Sequence, residues 1–264
     1  MTKPIITIAI IDLYDGTTNV GMECIINIIN NWGVKRNFTI EPTIFKLRES
    51  NEIPDHQFDI YISSGGPGSP LDSINSSWDN LYIQWLEKML ELNKPVFLIC
   101  HSFQMACRHF NLGSIGLRKS RQIGVLPVHP LCADPIFEGL DDPFYALESR
   151  AYQIVAPNDE AITKMGATII ALEKIRPQVP LERAIMAIRF NENMIGVQFH
   201  PEGEPKALHV FLNNPDLKKV IIEEFGIEKW EKNMAYLDDP SKIQKTSENL
   251  IPNFLDAAIQ FKKH

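Results

Sequence analysis

Residues 96–105 read VFLICHSFQM. An apolar, strand-like run closes on Cys100, and a polar stretch with helical spacing begins immediately after it. A cysteine at such a junction is either a buried residue at the end of a strand or a nucleophile held on the sharp turn between a strand and a helix. The surrounding sequence has to decide between these two interpretations.

Apolar runs and helical patterns alternate through the first half of the chain. The runs predict strands at 5–12, 38–47, 58–66 and 95–100, and the helical patterns predict helices at 20–32, at 76–93 and from 102 onward. Such alternation requires crossover connections and a parallel sheet covered on both faces. We therefore predict an α/β fold with an open, doubly wound, mostly parallel sheet, in which Pro42 places the second strand toward an edge.

The second half of the chain predicts shorter strands followed by a helical region. The strands are expected at 122–128, 144–149, 167–173, 183–190 and 194–200. Residues 203–248 carry too many apolar groups for a disordered linker, and they predict a small helical insertion that packs against the mouth of a site. The α/β domain is expected to span 1–202 and to be completed by a terminal helix at 249–264.

Composition restricts the classes of protein that the chain can belong to. Its 264 residues suffice for one large α/β domain, and its formal charge of −7 argues against a nucleic-acid partner. The cysteines have no C-x-x-C spacing, the histidines have no metal-ligand spacing, and no P-loop is present. The start of the chain enters a strand pattern directly, so we expect a cytoplasmic protein with reduced thiols and neither a metal nor a cofactor.

A nucleophilic thiol at Cys100 would need a base and an oxyanion hole. GVQFHPE (196–202) places His200 at the end of a predicted strand, and Glu202 follows two residues later, where it could orient the imidazole. SSGGPGSP (63–70) supplies glycines that let backbone amides approach a ligand. The amides of Gly66 and His101 are the two expected oxyanion donors.

Four stretches, in this order, resemble the class I glutamine amidotransferases. They are IIDLYDGTTN (10–19), SSGGPGSP (63–70), LICHSFQ (98–104) and GVQFHPE (196–202), and the resemblance covers roughly residues 5–202. The stretches look like those of the glutaminase domain of GMP synthase and of the amidotransferase subunit of anthranilate synthase. The resemblance implies a flavodoxin-like fold.

The resemblance also implies a reaction and roles for individual residues. Cys100 would be the nucleophile, His200 the base and Glu202 its orienting acid, and Gln104 would contact the substrate glutamine. The family reaction attacks the side-chain amide, releases ammonia and hydrolyses a glutamyl thioester. The ammonia would pass to a separate synthetase chain, and a homodimer is a further expectation; no membrane partner is expected.

Departures from the family pattern leave alternatives open. Leu98 and Ser102 stand where the elbow normally has glycines, and Ser149–Arg150 stand where the family often has a Ser-His pair. Ser149 and Arg150 are predicted substrate contacts, with Arg150 either gripping a carboxylate or pairing at the surface with an acid. The alternative functions are a γ-glutamyl hydrolase or acyltransferase with the same triad, and a catalytically weak module that binds and regulates a partner.

Overall fold

A nine-stranded sheet forms the centre of the part of the chain that the computed structural model describes, which is residues 3–17, 19–178 and 180–261. In chain order the strands are β1 (Ile5–Asp12), β2 (Thr39–Lys46), β3 (Ile60–Ser63), β4 (Val96–Ile99), β5 (Gly113–Pro130), β6 (Phe144–Pro157), β7 (Thr168–Glu173), β8 (Ile185–Arg189) and β9 (Met194–Val197). The helices are α1 (Val20–Arg36), α2 (Leu47–Ser50), α3 (Ser77–Glu91), α4 (His101–His109), α5 (Asp159–Met165), α6 (Pro205–Leu212), α7 (Pro215–Phe225), α8 (Ile227–Asp238) and α9 (Lys245–Phe261).

The order of the strands divides the sheet into two halves. The full order is β2-β1-β3-β4-β9-β8-β7-β5-β6. The first five of these strands pair in parallel, while the strands from β8 to β6 pair antiparallel to their neighbours. The predicted α/β class is confirmed, and the strands of the second half of the chain, apart from β9, form the antiparallel half of the sheet.

Both faces of the parallel half are covered, as a doubly wound sheet requires. Helices α1 and α9 pack on one face, and α3 and α4 pack on the other. The buried positions along β1 and β4 alternate between the two apolar clusters, which explains their continuous apolar runs. Pro42 lies in β2, at the edge of the sheet as predicted, where its missing N–H faces no further strand.

Within the described residues, no helix has the length and apolar character needed to cross a bilayer.

Several predicted boundaries were wrong. The strands expected at 122–128 and 144–149 are parts of the longer β5 and β6, which form a hairpin with a register shift between Leu117 and Gln122. The outer half of this hairpin, which comprises residues 113–121 of β5 and 150–157 of β6, is largely polar and partly exposed. It therefore lacks the apolar run on which the prediction relied. Helix α5 was not predicted. The terminal helix α9 begins at Lys245 rather than at 249. Positions 262–264 of the predicted terminal helix lie outside the described residues.

Residues 205–244 form α6, α7, α8 and a π-helical turn at Pro240–Gln244, which pack on the β5–β6 hairpin. The buried Asn233 of α8 accepts a hydrogen bond from the amide of Val125 at 3.0 Å. Gly124 has φ +118°, and a Cβ there would lie 2.3 Å from the Asn233 amide oxygen, so the contact requires glycine. The division of the chain into a domain and an insertion stays a prediction.

Asp256 fastens α9 to α1, and its replacement tests how much this contact contributes. It accepts hydrogen bonds from Trp32 Nε1 at 2.9 Å and from Arg36 Nε at 2.8 Å. Burial would raise the pKa of Asp256, but these hydrogen bonds outweigh it and lower the pKa. We expect Asp256→Asn to reduce the free energy of unfolding by about 1 kcal/mol, a low figure because Arg36 is largely exposed.

Urea denaturation measures this loss. A group with a lowered pKa stabilises the fold above its ordinary pKa, and that contribution is lost as the pH falls through the lowered value. The difference between the wild-type protein and Asp256→Asn should therefore shrink in acid. Glu231→Gln on α8 is the control, because no ion pair involves Glu231 within the described residues. Equal unfolding free energies for all three proteins at neutral pH would contradict the prediction.

Candidate functional site

Cys100 occupies a strained position between β4 and α4. Its φ of +48° and ψ of −94° lie in a region that a non-glycine residue rarely adopts. Two backbone hydrogen bonds hold it there: its N–H donates to Val197 O at 2.7 Å, and its carbonyl accepts from Gln104 N at 2.9 Å. The Cys100 side chain is therefore presented at the first turn of a helix, beyond the carboxyl end of β4.

The two residues that depart from the elbow pattern are accommodated in different ways. Leu98 is fully buried opposite Gly196 of β9 and packs in the apolar cluster under α3 and α4. A Cβ on Gly196 would lie 2.5 Å from Phe103, so glycine at 196 leaves the room that Leu98 and Phe103 fill. The Ser102 hydroxyl accepts from Ile99 N at 2.8 Å and donates toward Ser63 O at 3.0 Å, which ties the elbow to β3.

His200 and Glu202 lie just beyond the end of β9, the neighbour of β4 in the sheet. The His200 N–H donates to Leu147 O at 2.8 Å, which fixes the backbone beside β6. The His200 Nδ1 lies 2.8 Å from Glu202 Oε1, within hydrogen-bond distance. Glu202 is 1% exposed, so this contact is shielded from water.

The charges around His200 favour its protonated form. Burial would lower the pKa of His200, but the Glu202 carboxylate and the sulfur of Cys100 together raise it well above its ordinary value. Because the pKa is raised on folding, the interaction stabilises the folded chain below the ordinary pKa of histidine and is lost as the pH rises through the higher value.

The predicted oxyanion loop lies against the same residues. A Cβ on Gly65 would lie 2.8 Å from His200 Cε1, and one on Gly66 would lie 2.5 Å from Leu13 O, so both positions require glycine. Within the described residues, the amide N–H groups of Gly66 and His101 donate to no protein acceptor. Both remain available to a ligand at the start of α4.

The buried His101 ring is a much weaker base than an ordinary histidine. Burial lowers the pKa of His101 to about 3, and the nearby charges of Arg48 and Arg108 add to the effect. The ring is therefore neutral, and its Nε2 is buried without a partner among the described residues. The backbone amide is the part of His101 that the site can use.

A chain of amide side chains lies beneath Cys100. Gln104 Nε2 donates to Gln198 Oε1 at 3.1 Å, and Gln198 Nε2 lies 3.7 Å from Cys100 Sγ. Gln104 was predicted to contact substrate. It borders the cavity that Cys100, His200 and Glu202 also line, called here the main cavity. Its amide is also engaged with Gln198 and with the carbonyl of Tyr152. Gln198 was not singled out from the sequence, although it stands within the GVQFHPE string.

Ser149 and Arg150 both border the main cavity, but the Arg150 guanidinium is engaged elsewhere. Its Nε donates to Glu148 Oε2 at 2.8 Å, and its Nη2 lies 3.5 Å from Glu173. The side chain is 2% exposed. The geometry does not support the expected grip on a substrate carboxylate, and it equally excludes a surface arginine, because β6 directs Arg150 into a buried ion-pair network.

The side chains of the candidate site meet in the main cavity, whose volume is about 810 Å³. Cys100, His200 and Glu202 line it together with Gly66, and Leu208 and Phe211 of α6 form part of its wall. Tyr14 also lines it, and its hydroxyl group lies near Gly21 and Gly65. Burial raises the pKa of this phenol, and the charge of Glu202 adds to the effect. Tyr14 was missed because the sequence shows only a loop tyrosine.

Within the described residues, no group of three or more His, Cys, Asp or Glu side chains is arranged to hold a metal ion.

The chain belongs to the class I glutamine amidotransferase family. The family model described as glutamine amidotransferase class-I matches residues 10–215, which include all four of the stretches that carried the resemblance. The predicted family is therefore confirmed. A comparison with curated proteins gives no match.

Solved structures share the fold at low sequence identity. A glutamine amidotransferase from Thermotoga maritima has a TM-score of 0.70 and 15% identity, with 97% of this chain and 98% of that chain covered. A putative GMP synthase component from Thermoplasma acidophilum has a TM-score of 0.59 and 16% identity, with 98% and 96% covered. The glutaminase domain of Trypanosoma brucei CTPS, with bound acivicin, has a TM-score of 0.61 and 14% identity, with 97% and 94% covered.

Removing the Glu202 charge tests the electrostatics of the site directly. Glu202→Gln should lower the pKa of His200, because the carboxylate is the largest influence that raises it. An NMR titration of the His200 ring protons measures the change. Glu204→Gln, two residues further along the chain, is the matched control. A His200 titration curve that is the same in Glu202→Gln and wild type would contradict the assigned pairing.

Proposed function

We propose that the protein hydrolyses the side-chain amide of glutamine, or of a γ-glutamyl relative, through Cys100, His200 and Glu202. The observation that carries the proposal is the strained backbone of Cys100 at the start of α4, facing a His200–Glu202 pair at the end of the adjacent strand. A nucleophile, a base and an orienting acid then share one cavity. Membership of the family supports the same chemistry.

In the first half of the reaction, the Cys100 sulfur attacks the amide carbon. The carbonyl oxygen becomes an oxyanion, which the amide N–H groups of Gly66 and His101 can stabilise because no protein acceptor occupies them within the described residues. His200 in its protonated form donates a proton to the leaving nitrogen as the C–N bond breaks. Ammonia leaves, and a γ-glutamyl thioester remains on Cys100.

In the second half, water replaces the nitrogen. Neutral His200 takes a proton from the water as its oxygen attacks the thioester carbon, and the same two amides stabilise the second oxyanion. The C–S bond breaks, which releases glutamate and restores the thiolate beside the imidazolium. Glu202 fixes the orientation of the imidazole through its contact with Nδ1 and stabilises its positive charge in both halves.

The ammonia would serve an acceptor on a separate synthetase chain. Amidotransferase domains of this family supply nitrogen to a synthetase, and one structural neighbour is a putative component of a GMP synthase. The sequence contains no P-loop with which this chain could bind a nucleotide and activate an acceptor. Helix α6 lies at the wall of the main cavity, where an insertion could serve as a lid that excludes water from the thioester.

Cys100→Ala tests the assignment of the nucleophile. We expect it to abolish glutaminase activity and covalent labelling by a chloroketone analogue of glutamine, while the circular dichroism spectrum is unchanged, because the small side chain fits the space of the thiol. Glutamate release and intact-protein mass spectrometry measure the two losses. Cys132→Ala, which removes an exposed cysteine, is the control.

The outcomes of this test separate the proposed enzyme from a module that only binds. Labelling and glutamine turnover that both survive in Cys100→Ala would overturn the proposal. A wild-type protein that is neither labelled at Cys100 nor active, alone or with candidate synthetases, would point to a module that only binds.

The size of the main cavity favours a second candidate, hydrolysis of γ-glutamyl compounds larger than glutamine. A volume of about 810 Å³ is within the range of pockets that hold drug-sized ligands. Leu147, Leu208 and Phe211 provide an apolar wall, for which the side chain of glutamine itself has no use. A γ-glutamyl amide with an apolar group on the leaving nitrogen would fill this space.

Phe211→Ala distinguishes the two substrates. If the natural substrate has an apolar leaving group, the variant should raise the KM for γ-glutamyl anilide about tenfold or more and leave the KM for glutamine nearly unchanged, because only the anilide contacts the removed ring. Steady-state kinetics with both substrates provide the measurement. Val210→Ala is the matched control, because Val210 is the exposed neighbour on the same helix. Equal effects on both substrates would reject the larger substrate.

A further inference from the structure

A second cavity of about 620 Å³ lies beside the outer half of the β5–β6 hairpin and is called here the basic cavity. Five basic and two acidic side chains line it in a chain whose formal charge is −7. The basic residues are Arg118, Lys119, Lys174, Arg176 and Arg183, and the acidic residues are Glu173 and Glu182. None of these residues lines the main cavity.

The acidic side chains leave much of this positive charge unbalanced. Glu173 is buried and accepts from Arg118 at 2.9 Å, and it also pairs with Arg176. Burial would raise the pKa of Glu173, but the three arginines around it lower the pKa. Glu182 Oε2 is engaged by the amide of Ala156 at 3.0 Å. Each acid therefore already has its own partners.

Several cationic groups face the basic cavity without a carboxylate. Within the described residues, Lys119 and Lys174 form no ion pair, and the Nε of Arg118 is buried with no acceptor, in a side chain that is 7% exposed. Arg183 donates its Nε to the backbone carbonyl of Glu173 at 2.6 Å and forms no ion pair in the same part of the chain. An anion in the cavity would give Lys119, Lys174 and Arg183 the charged partner that they lack.

Neighbouring lysines have lowered pKa values, mainly because they are buried, and nearby positive charges add to the effect. Burial lowers the pKa of Lys174, and the charges of Arg176 and Lys232 add to it against the opposing influence of Glu148 and Glu173. Burial also lowers the pKa of Lys229 on α8 to about 8, with Lys174, Lys232 and Arg176 adding to it against Glu148. Such a potential concentrates small anions at the cavity.

The rim of the basic cavity is apolar. Leu117, Ile175 and Leu181 line it with exposures of 68%, 61% and 53%, which places them among the exposed large apolar side chains of the chain. An apolar rim above a cationic floor suits a ligand with one charged end and one apolar body. The concave shape and the volume favour a small molecule over a flat protein surface.

We infer that the basic cavity binds a small organic anion, with its phosphate or carboxylate group on Arg118, Lys119 and Lys174 and its apolar body against Leu117, Ile175 and Leu181. The charged group would be attracted by the Arg118 guanidinium and neutralise the two lysines. This site is separate from the main cavity and does not depend on the amide hydrolysis proposed above. A phosphate ester and a carboxylate share this chemistry, and the experiment compares them.

Isothermal titration calorimetry with four probes tests the inference. Naphthyl phosphate and naphthoate carry both the charged group and the apolar body, inorganic phosphate carries only the charge, and naphthol carries only the ring system. We expect at least one of the first two to bind with a Kd below about 1 mM and more tightly than inorganic phosphate and naphthol. The relative affinities of naphthyl phosphate and naphthoate identify the charged group that the cavity prefers.

Variants assign the binding to the basic cavity. Replacing Lys119 and Lys174 together by alanine should weaken binding of the charged aromatic probe about tenfold or more, because two charge-assisted contacts are lost. Arg121→Ala removes a basic residue of the main cavity, and Lys35→Ala removes an exposed charge at the opposite end of the sheet; neither should change the Kd. Thermal unfolding confirms that each variant is folded.

Three results would overturn the inference. They are the absence of binding by either charged aromatic probe, an unchanged Kd in the Lys119→Ala, Lys174→Ala variant, and a loss of binding in Arg121→Ala alone, which would assign the anion to the main cavity. None of these three results bears on the labelling of Cys100. The failure of this inference can therefore be distinguished from the failure of the proposed function.

Discussion

The parallel pairing of β4 with β9, with Ile99 opposite Val197, is the constraint on which the candidate site depends. Cys100 follows β4 and His200 follows β9, so this register brings together two residues that are 100 positions apart in sequence. The hydrogen bond from Cys100 N to Val197 O continues the ladder by one residue and holds the elbow in its strained conformation. A slip of one residue in this register would turn the side chains of β9 to the other face and separate the pair.

The strained backbone at Cys100 is stable because the structure around it is fixed from several sides. Ser102 satisfies the amide of Ile99 and reaches the end of β3, and Gln198 approaches the sulfur from β9. The elbow is thus held by the side-chain hydrogen bonds of Ser102 in addition to the backbone hydrogen bonds of Cys100.

The sequence was sufficient to predict the parts of the molecule that depend on local patterns. The parallel strands appear as apolar runs, and the nucleophile elbow and GVQFHPE appear as short strings, because their function requires particular residues at fixed spacing. The environment of Arg150 could not be predicted in this way. It pairs with Glu173 of β7, and that contact exists only because the strand order places β7 and β6 on either side of β5. The outer half of the β5–β6 hairpin was missed because its residues are largely polar and partly exposed, and its strands pair mainly with each other.

The position of α9 has a consequence for how the protein is made. The face of the sheet that carries Phe97 is covered by Phe254 and its neighbours on α9, so this face is complete only after residues 245–261 have been synthesised. Until then, a nascent chain exposes a broad apolar surface beside α1, of the kind that aggregates or recruits chaperones. The helices at 205–238 are translated before α9 and lengthen the interval during which that surface stays open. While the ribosome adds these helices, the apolar face of the sheet is therefore exposed and the nascent domain is prone to aggregation.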